Sequence, residues 1–328
     1  MTSYYPPITY TVQPAEDGWL LKSILQKRMD VSRKLLSRLK LTEEGIKLNG
    51  VRVYISEKVS AGDCVEIRME EEISADIMPQ DIPFDILYED EHLLAVNKAA
   101  GVIVHPTHGH YTDTLANGVV HYWAAKGERY RFRPVHRLDQ ETSGVLVIAK
   151  NPYSHQHISE QMIAGTVDKR YAAFVHGTPP ALRGDIDGPI DRDPAEPHRR
   201  IVTPDGYPSL TRYEVKAQYP GASLVELKLE SGRTHQIRVH MGSVGCPLIG
   251  DSMYRHPLYS KAQPTPAEQA QLAEVAALDA AIPRQALHAV RLSFRHPISR
   301  MEMVLEAPLP PDMALLQRVL EQQPERLP

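Results

Sequence analysis

With 328 residues, of which 42% are hydrophobic and 24% charged, the chain is long enough for two domains, or for one large domain with an appendage, and for a sizeable core. A net charge of −4, from 37 Lys and Arg against 41 Asp and Glu, excludes capture of a polyanion by bulk charge, so such a partner has to be held by local patches. Two cysteines, Cys64 and Cys246, make neither a disulfide framework nor a zinc site. With no signal-peptide pattern and no apolar run of membrane-spanning length, the expectation is a cytoplasmic protein without a membrane partner.

Residues 1–72 read as a small α/β module with an N-terminal strand. Leu20, Leu21, Ile24 and Leu25 recur at helical spacing, and after a break at Asp30-Val31-Ser32 the set Leu35, Leu36 and Leu39 repeats the pattern. Ser32 is placed to cap the second helix. Ile46-Lys47-Leu48 and Val51-Arg52-Val53 flank Asn49-Gly50, a two-residue hairpin signal because both turn residues accept positive φ. A further alternating run, Val65-Ile67-Met69, follows. The helices are one-sided in charge: Lys22, Lys27, Arg28, Arg33, Lys34, Arg38 and Lys40 face only Asp30 between Gly18 and Lys40. A charge run is usually a solvated helix face. Yet the stretch GWLLKSILQKRMDVSRKLLSRLKLTEEGIKLNGVRV, continued by KVSAGDCVEI, resembles an S4 domain, an RNA-binding module. That resemblance implies that Lys22, Lys27, Arg28, Arg33, Lys34 and Arg38 contact RNA phosphates, which position a nucleic acid without reading its sequence.

Residues 73–83 are polar, carry Pro79 and Pro83, and read as a linker to a second unit over residues 84–328. Strands are expected at Ile86–Tyr88, Leu93–Lys98, Val145–Ile148, Tyr171–Val175, Leu224–Leu229 and Met303–Leu305. Helices are expected at Thr114–Ala125, Ser154–Ile163, Pro266–Ala280 and Met313–Glu321. Strands outnumber helices and do not alternate regularly with them, so the fold class is α+β with a mostly antiparallel mixed sheet.

Ahead of the strand Val145–Ile148 stands His136-Arg137-Leu138-Asp139, which sets a carboxylate close to a permanent guanidinium. An opposite charge nearby favours the ionised carboxylate. The bland alternative is a surface Arg–Asp pair of small energetic consequence. The full run HRLDQETSGVLVIAK resembles the catalytic motif of the pseudouridine synthases of the RluA type. Lys169-Arg170-Tyr171, Ser231–His240, Pro247–Tyr254 and Arg284–Ala289 resemble further blocks of that family, and with the S4-like stretch the resemblance extends to near Pro311. One departure is Asn97-Lys98-Ala99-Ala100-Gly101, where the family often has a proline after the lysine.

The resemblance implies isomerisation of uridine in RNA to its C-glycoside, by breaking N1–C1′, turning the base and rejoining through C5. Asp139 would act by adding to C1′ or by taking the C2′ proton, and both routes stay open. Arg238 would pair with Asp139, and Tyr171 would stack on the base. Arg137 is the candidate to fill the space left by a flipped-out nucleotide, with His136 and Arg233 as further RNA contacts. The reaction is redox-neutral, so no cofactor and no metal is implied. The implied partner is structured ribosomal RNA of the large subunit, with transfer RNA as the alternative, and the protein is expected to be a monomer. A glycoside hydrolase would need a second carboxylate near Asp139, for which Glu141 is the candidate. A non-catalytic RNA-binding or ribosome-associated protein would rest on the basic module alone. His105, His108 and His110 lack carboxylate partners for a metal site, and Gly250-Asp251-Ser252 is a weak lipase-like match; both are set aside.

Overall fold

In the computed structural model, which describes residues 3–322, the N-terminal segment folds as four strands and two short helices. In chain order these are β1 (Ile8–Thr11), α1 (Leu21–Lys27), α2 (Arg33–Leu39), β2 (Ile46–Leu48), β3 (Val51–Arg52) and β4 (Cys64–Ile67). The strands form an antiparallel sheet in the order β1-β4-β2-β3. Leu21, Ile24 and Leu25 of α1 and Leu35, Leu36 and Leu39 of α2 are all buried against it, as their spacing on one helix face demands. Ser32 Oγ accepts the Leu35 N–H at 3.1 Å and so caps α2. Asn49 and Gly50 take φ of 51° and 79°, the left-handed pair that a two-residue hairpin turn needs.

The rest of the chain adds β5 (Asp85–Glu89), β6 (Leu93–Lys98), α3 (Leu115–Ala125), β7 (Ser143–Ala149), α4 (Pro152–Ile163), β8 (Asp168–His176) and β9 (Arg183–Asp187). There follow β10 (Ile190–Arg192), β11 (Arg200–Val202), β12 (Leu210–Tyr219), β13 (Ala222–Leu229), α5 (Gln236–Ser243) and α6 (Pro266–Ala280), then β14 (Leu287–Arg295), β15 (Glu302–Glu306) and α7 (Pro311–Glu321). Nine strands make one sheet in the order β5-β6-β7-β14-β8-β13-β12-β9, with β15 beside β14. Every pairing in it is antiparallel except β7 with β14, so the α+β, mostly antiparallel expectation holds. Strands β9 to β12, strand β14 and helix α5 were not anticipated.

Strands β6 and β7 are buried on both faces, which is why they read as continuous apolar runs. Leu94, Val96, Leu146 and Ile148 point to the layer formed by Leu115, Val119 and Trp123 of α3 with Ile237 and Met241 of α5. Leu93, Ala95, Val145 and Val147 point the other way, toward Ile158 of α4. Gly144, the second residue of β7, has φ 115°, and a Cβ there would collide with the Ala289 carbonyl, so glycine is what lets β7 and β14 approach in parallel. This junction fixes where the segment before β7 emerges.

Residues 73–83 run along α3: Ile77 is buried with its core, and the Met78 carbonyl accepts from Asn117 Nδ2 at 2.8 Å. The N-terminal sheet is fastened to α4, whose Tyr153 is 2% exposed, packs into the module's core and donates to the Met29 carbonyl at 2.7 Å. Gln156 bridges the Asp30 carbonyl (2.9 Å) and the Ser32 N–H (3.3 Å), and Arg300 pairs with Asp30 at 3.0 Å. Among the described residues no helix is long and apolar enough to cross a membrane.

Candidate active site

The loop carrying Asp139 is held from beneath by two buried cations. Lys98, at the end of β6 and 1% exposed, donates to the carbonyls of Ala99 and Val102 at 2.8 Å and of Gln140 at 2.9 Å. Burial pushes this lysine down to about 7 against the pull of Glu141 and Asp139, while three carbonyls match the three N–H donors of its ammonium. Arg284 donates to the next carbonyl, that of Glu141, at 2.9 Å and grips Asp312 through two hydrogen bonds of 2.6 and 3.0 Å. A turn closed by the Thr142 N–H on the Asp139 carbonyl (3.1 Å) completes the support. Leu138 is buried in the core, whereas the Asp139 side chain keeps 28% of its surface open.

Above this loop sits α5. Arg238 Nη1 lies 3.4 Å from Asp139 Oδ2, so the structure brings together the two residues expected to pair. The arginine's two-point partner is nevertheless Asp251, reached by Nε at 2.6 Å and Nη2 at 2.8 Å. Asp251 Oδ1 also accepts the N–H groups of Met253 and Tyr254 at 2.9 Å, and its side chain is 0% exposed. Burial works against the Arg238 charge, but Asp251 and then Asp139 outweigh it and hold the guanidinium above its usual value. The Tyr254 ring lies under that guanidinium at 4.9 Å. Asp251 is the functional neighbour that the sequence reading passed over with Gly250-Asp251-Ser252. Its signal was a carboxylate directly after the apolar Leu248-Ile249 and a turn glycine, a place where a charge needs a buried partner.

Tyr171 stands on β8 opposite Leu227 of β13, 7% exposed. Burial, with the Asp139 charge, pushes its phenol above the ordinary range, so the ring meets the site neutral. His235 completes the group, with Nε2 at 3.9 Å from Asp139 Oδ2 and Nδ1 at 3.0 Å from the Tyr254 hydroxyl. His136 faces elsewhere: its Nε2 accepts the Val147 N–H at 3.3 Å, and burial together with Lys169 pushes it down to about 4. Arg137 is exposed and free of ion pairs among the described residues. Arg233 is exposed and lies over the Tyr207 ring at 5.3 Å.

The six basic residues of the N-terminal helices are exposed and belong to α1, α2 and their ends, not to the Asp139 group. Arg28 pairs with the buried Glu16, and Arg38 with Glu72. Lys22, Lys27, Arg33 and Lys34 have no carboxylate partner among the described residues, and Lys27 lies 5.6 Å from the Trp19 ring. His105 packs edge-on to Phe132 and His108 to Tyr111, and no cluster of three metal-competent side chains occurs among the described residues. Asp251, the carboxylate that shares Arg238 with Asp139, is buried and paired with that guanidinium, which disqualifies it as the acid/base partner of a glycoside hydrolase.

Residues 92–243, a span containing Asp139, Tyr171 and Arg238, match the family model described as RNA pseudouridylate synthase. The chain is 36% identical over 289 residues to "Uncharacterized RNA pseudouridine synthase YjbO" of Bacillus subtilis, covering 88% of this chain and 95% of that one. It is 37% identical over 317 residues to "Ribosomal large subunit pseudouridine synthase D" of Escherichia coli K12, covering 95% and 94%. The protein of that name from Zymomonas mobilis is 36% identical over 323 residues, covering 94% and 98%. Among solved structures, "Human RNA Pseudouridylate Synthase Domain Containing 4" shares the fold at a TM-score of 0.56 and 26% identity, over 72% of this chain and 93% of that one. Identity of this extent along nearly the whole length is not a shared fold alone: the chain belongs to the RNA pseudouridine synthase family and is an enzyme of that class.

Proposed function

We propose that this synthase acts on uridines of large-subunit ribosomal RNA, with Asp139 as the residue that attacks the sugar. The reading of Asp139 is carried by one observation: a partly open carboxylate on a loop fixed by two buried cations, facing a guanidinium that is itself locked by a second, buried carboxylate. Such a carboxylate is aimed before substrate arrives, so little reorganisation is left for the chemical step. Asp139 adds to C1′ or takes the C2′ proton; Arg238 orients it; the neutral ring of Tyr171 supports the uracil as it turns. A uridine in a stacked helix is out of reach, so the nucleotide is flipped into the site at a cost of roughly a few kcal/mol, and exposed Arg137 fills the gap. The choice of RNA rests on the similarity to the large-subunit synthases of two bacteria. Residues 1–72 act as an S4-like RNA-binding domain joined by residues 73–83 to the catalytic domain, and Lys22, Lys27, Arg33 and Lys34 are its free phosphate contacts.

The test is pseudouridine mapping of total RNA from cells lacking this gene, rescued with the wild type or with Asp139→Asn. Wild-type rescue restores modification at one or more large-subunit positions and the variant restores none. A site restored only in transfer RNA, or restored equally by both proteins, overturns the proposal.

A further inference from the structure

Two donors converge on one oxygen of Asp139. Arg238 Nη1 lies 3.4 Å and His235 Nε2 3.9 Å from Oδ2. We infer that His235 is a second positioning residue, which together with Arg238 holds Asp139 Oδ2 and thereby turns Oδ1 toward the sugar. This rests on the reading of Asp139 as the reacting carboxylate.

The hydrogen-bond chain behind the imidazole fixes which nitrogen carries the proton. The backbone N–H of Arg200, at the start of β11, donates to the Tyr254 hydroxyl at 2.7 Å, and that oxygen lies 3.0 Å from His235 Nδ1. If Nδ1 carried a proton and also donated to the hydroxyl, the phenol proton would have no acceptor among the described residues. The phenol therefore donates to Nδ1, and a neutral imidazole then carries its proton on Nε2, the nitrogen that faces Asp139. The ring is neutral because burial, with Arg238 and Arg200, lowers its basicity against the opposing pull of Asp139 and Asp251. These are the charged groups around it from the Asp139 loop, α5, β11 and the segment 251–254.

The backbone supplies a second, independent observation. His235 precedes α5 at φ 58° and ψ 16°, a left-handed conformation disfavoured for a residue with a Cβ. The sequence keeps histidine where glycine or asparagine would fit without strain, and the strained conformation is the one from which the ring reaches both Tyr254 and Asp139. At 3.9 Å the contact to Asp139 is open; substrate entry closes it toward the ~2.9 Å of a hydrogen bond.

The experiment measures tritium release from a large-subunit ribosomal RNA transcript labelled at uridine C5, with kcat and KM taken from pH 5.5 to 9 and thermal unfolding run on every variant. His235→Asn, which tolerates the left-handed backbone but is too short to reach Oδ2, lowers kcat roughly 10- to 100-fold with KM within about threefold. His235→Gln presents an amide N–H at the reach of Nε2 and recovers most of the loss. Tyr254→Phe releases the imidazole proton to either nitrogen, which lowers kcat roughly three- to tenfold above neutral pH and less toward pH 5.5, because an imidazolium again carries a proton on Nε2. Wild-type kcat in His235→Asn, equal impairment in the Gln variant, or an unchanged profile in Tyr254→Phe overturns the assignment. Asp139→Asn run alongside separates the two readings: an active Asp139→Asn refutes the site itself, whereas an inactive one beside a fully active His235→Asn refutes the role of His235 alone.

Discussion

Asp251→Ala is the most informative single perturbation, because Asp251 touches no solvent and so acts only through what it holds. It accepts two charge-assisted hydrogen bonds from Arg238 and two backbone N–H groups. Removing one partner of a buried ion pair costs about 3–5 kcal/mol, since the other charge is stranded. Part of that is recovered here, because Arg238 already lies 3.4 Å from Asp139 and can turn onto it. A loss of about 3 kcal/mol is therefore expected, roughly a hundredfold in the folding constant. Urea denaturation should read it as a lower midpoint with an unchanged slope. Turnover should fall further than stability explains, because an arginine closed onto Asp139 ties up the group meant to react. The double change Arg238→Met/Asp251→Leu separates the effects: replacing both buried charges by apolar groups restores most of the stability and none of the turnover. Stability of Asp251→Ala within about 0.5 kcal/mol of wild type, or measurable turnover by the double variant, would falsify the reasoning.

Lys98→Met keeps the volume of the side chain, leaves the carbonyls of Ala99 and Val102 unpaired and that of Gln140 with the Gly101 N–H alone; a loss of about 2–4 kcal/mol and a drop in kcat are expected, measured by urea denaturation and tritium release. His157, on α4 at 3.7 Å from Asp30, is pushed by burial from 6.5 down to about 4. Its folded value lies below its unfolded one, so the stability it contributes is present above pH 6.5 and lost as the pH falls through 4, by about 3 kcal/mol. His157→Gln should flatten the urea midpoint between those pH values, and an unchanged acid slope would refute this. Arg33→Ser/Lys34→Ser should weaken RNA binding uniformly and reduce the salt slope by roughly one to two, with kcat at saturating RNA unchanged. An unaltered slope in a filter-binding titration over salt would remove these residues from the interface.

How much of this was readable beforehand depends on where the physics is local. Strands β6 and β7, the hairpin at Asn49-Gly50 and the helices α1 to α4 follow from periodicity, caps and turn residues, each a matter of a few neighbouring positions. Helix α5 escaped because Gln236, Arg238 and His240 are buried polar residues, so the segment has no apolar stripe to read. Strand β14 escaped for a related reason: it lies between β7 and β8, buries His288 and Ser293, and is irregular between His288 and Arg291. At the site, Asp139, Tyr171 and Arg238 came from motif resemblance. Asp251 and Lys98 did not, because their roles exist only once distant segments meet, the lysine on the Gln140 carbonyl and the aspartate on Arg238. The polar composition of residues 73–83 likewise gave no sign that Ile77 would be buried beside α3.

The central claim is that Asp139 performs an isomerisation, and one measurement addresses it directly. Purified protein is incubated with a large-subunit ribosomal RNA transcript, the RNA is digested to nucleosides, and uridine, pseudouridine and free uracil are quantified for wild type and Asp139→Asn. The account predicts pseudouridine from the wild type with no free uracil, and neither product from the variant. Release of uracil, or pseudouridine formation by Asp139→Asn, would contradict it.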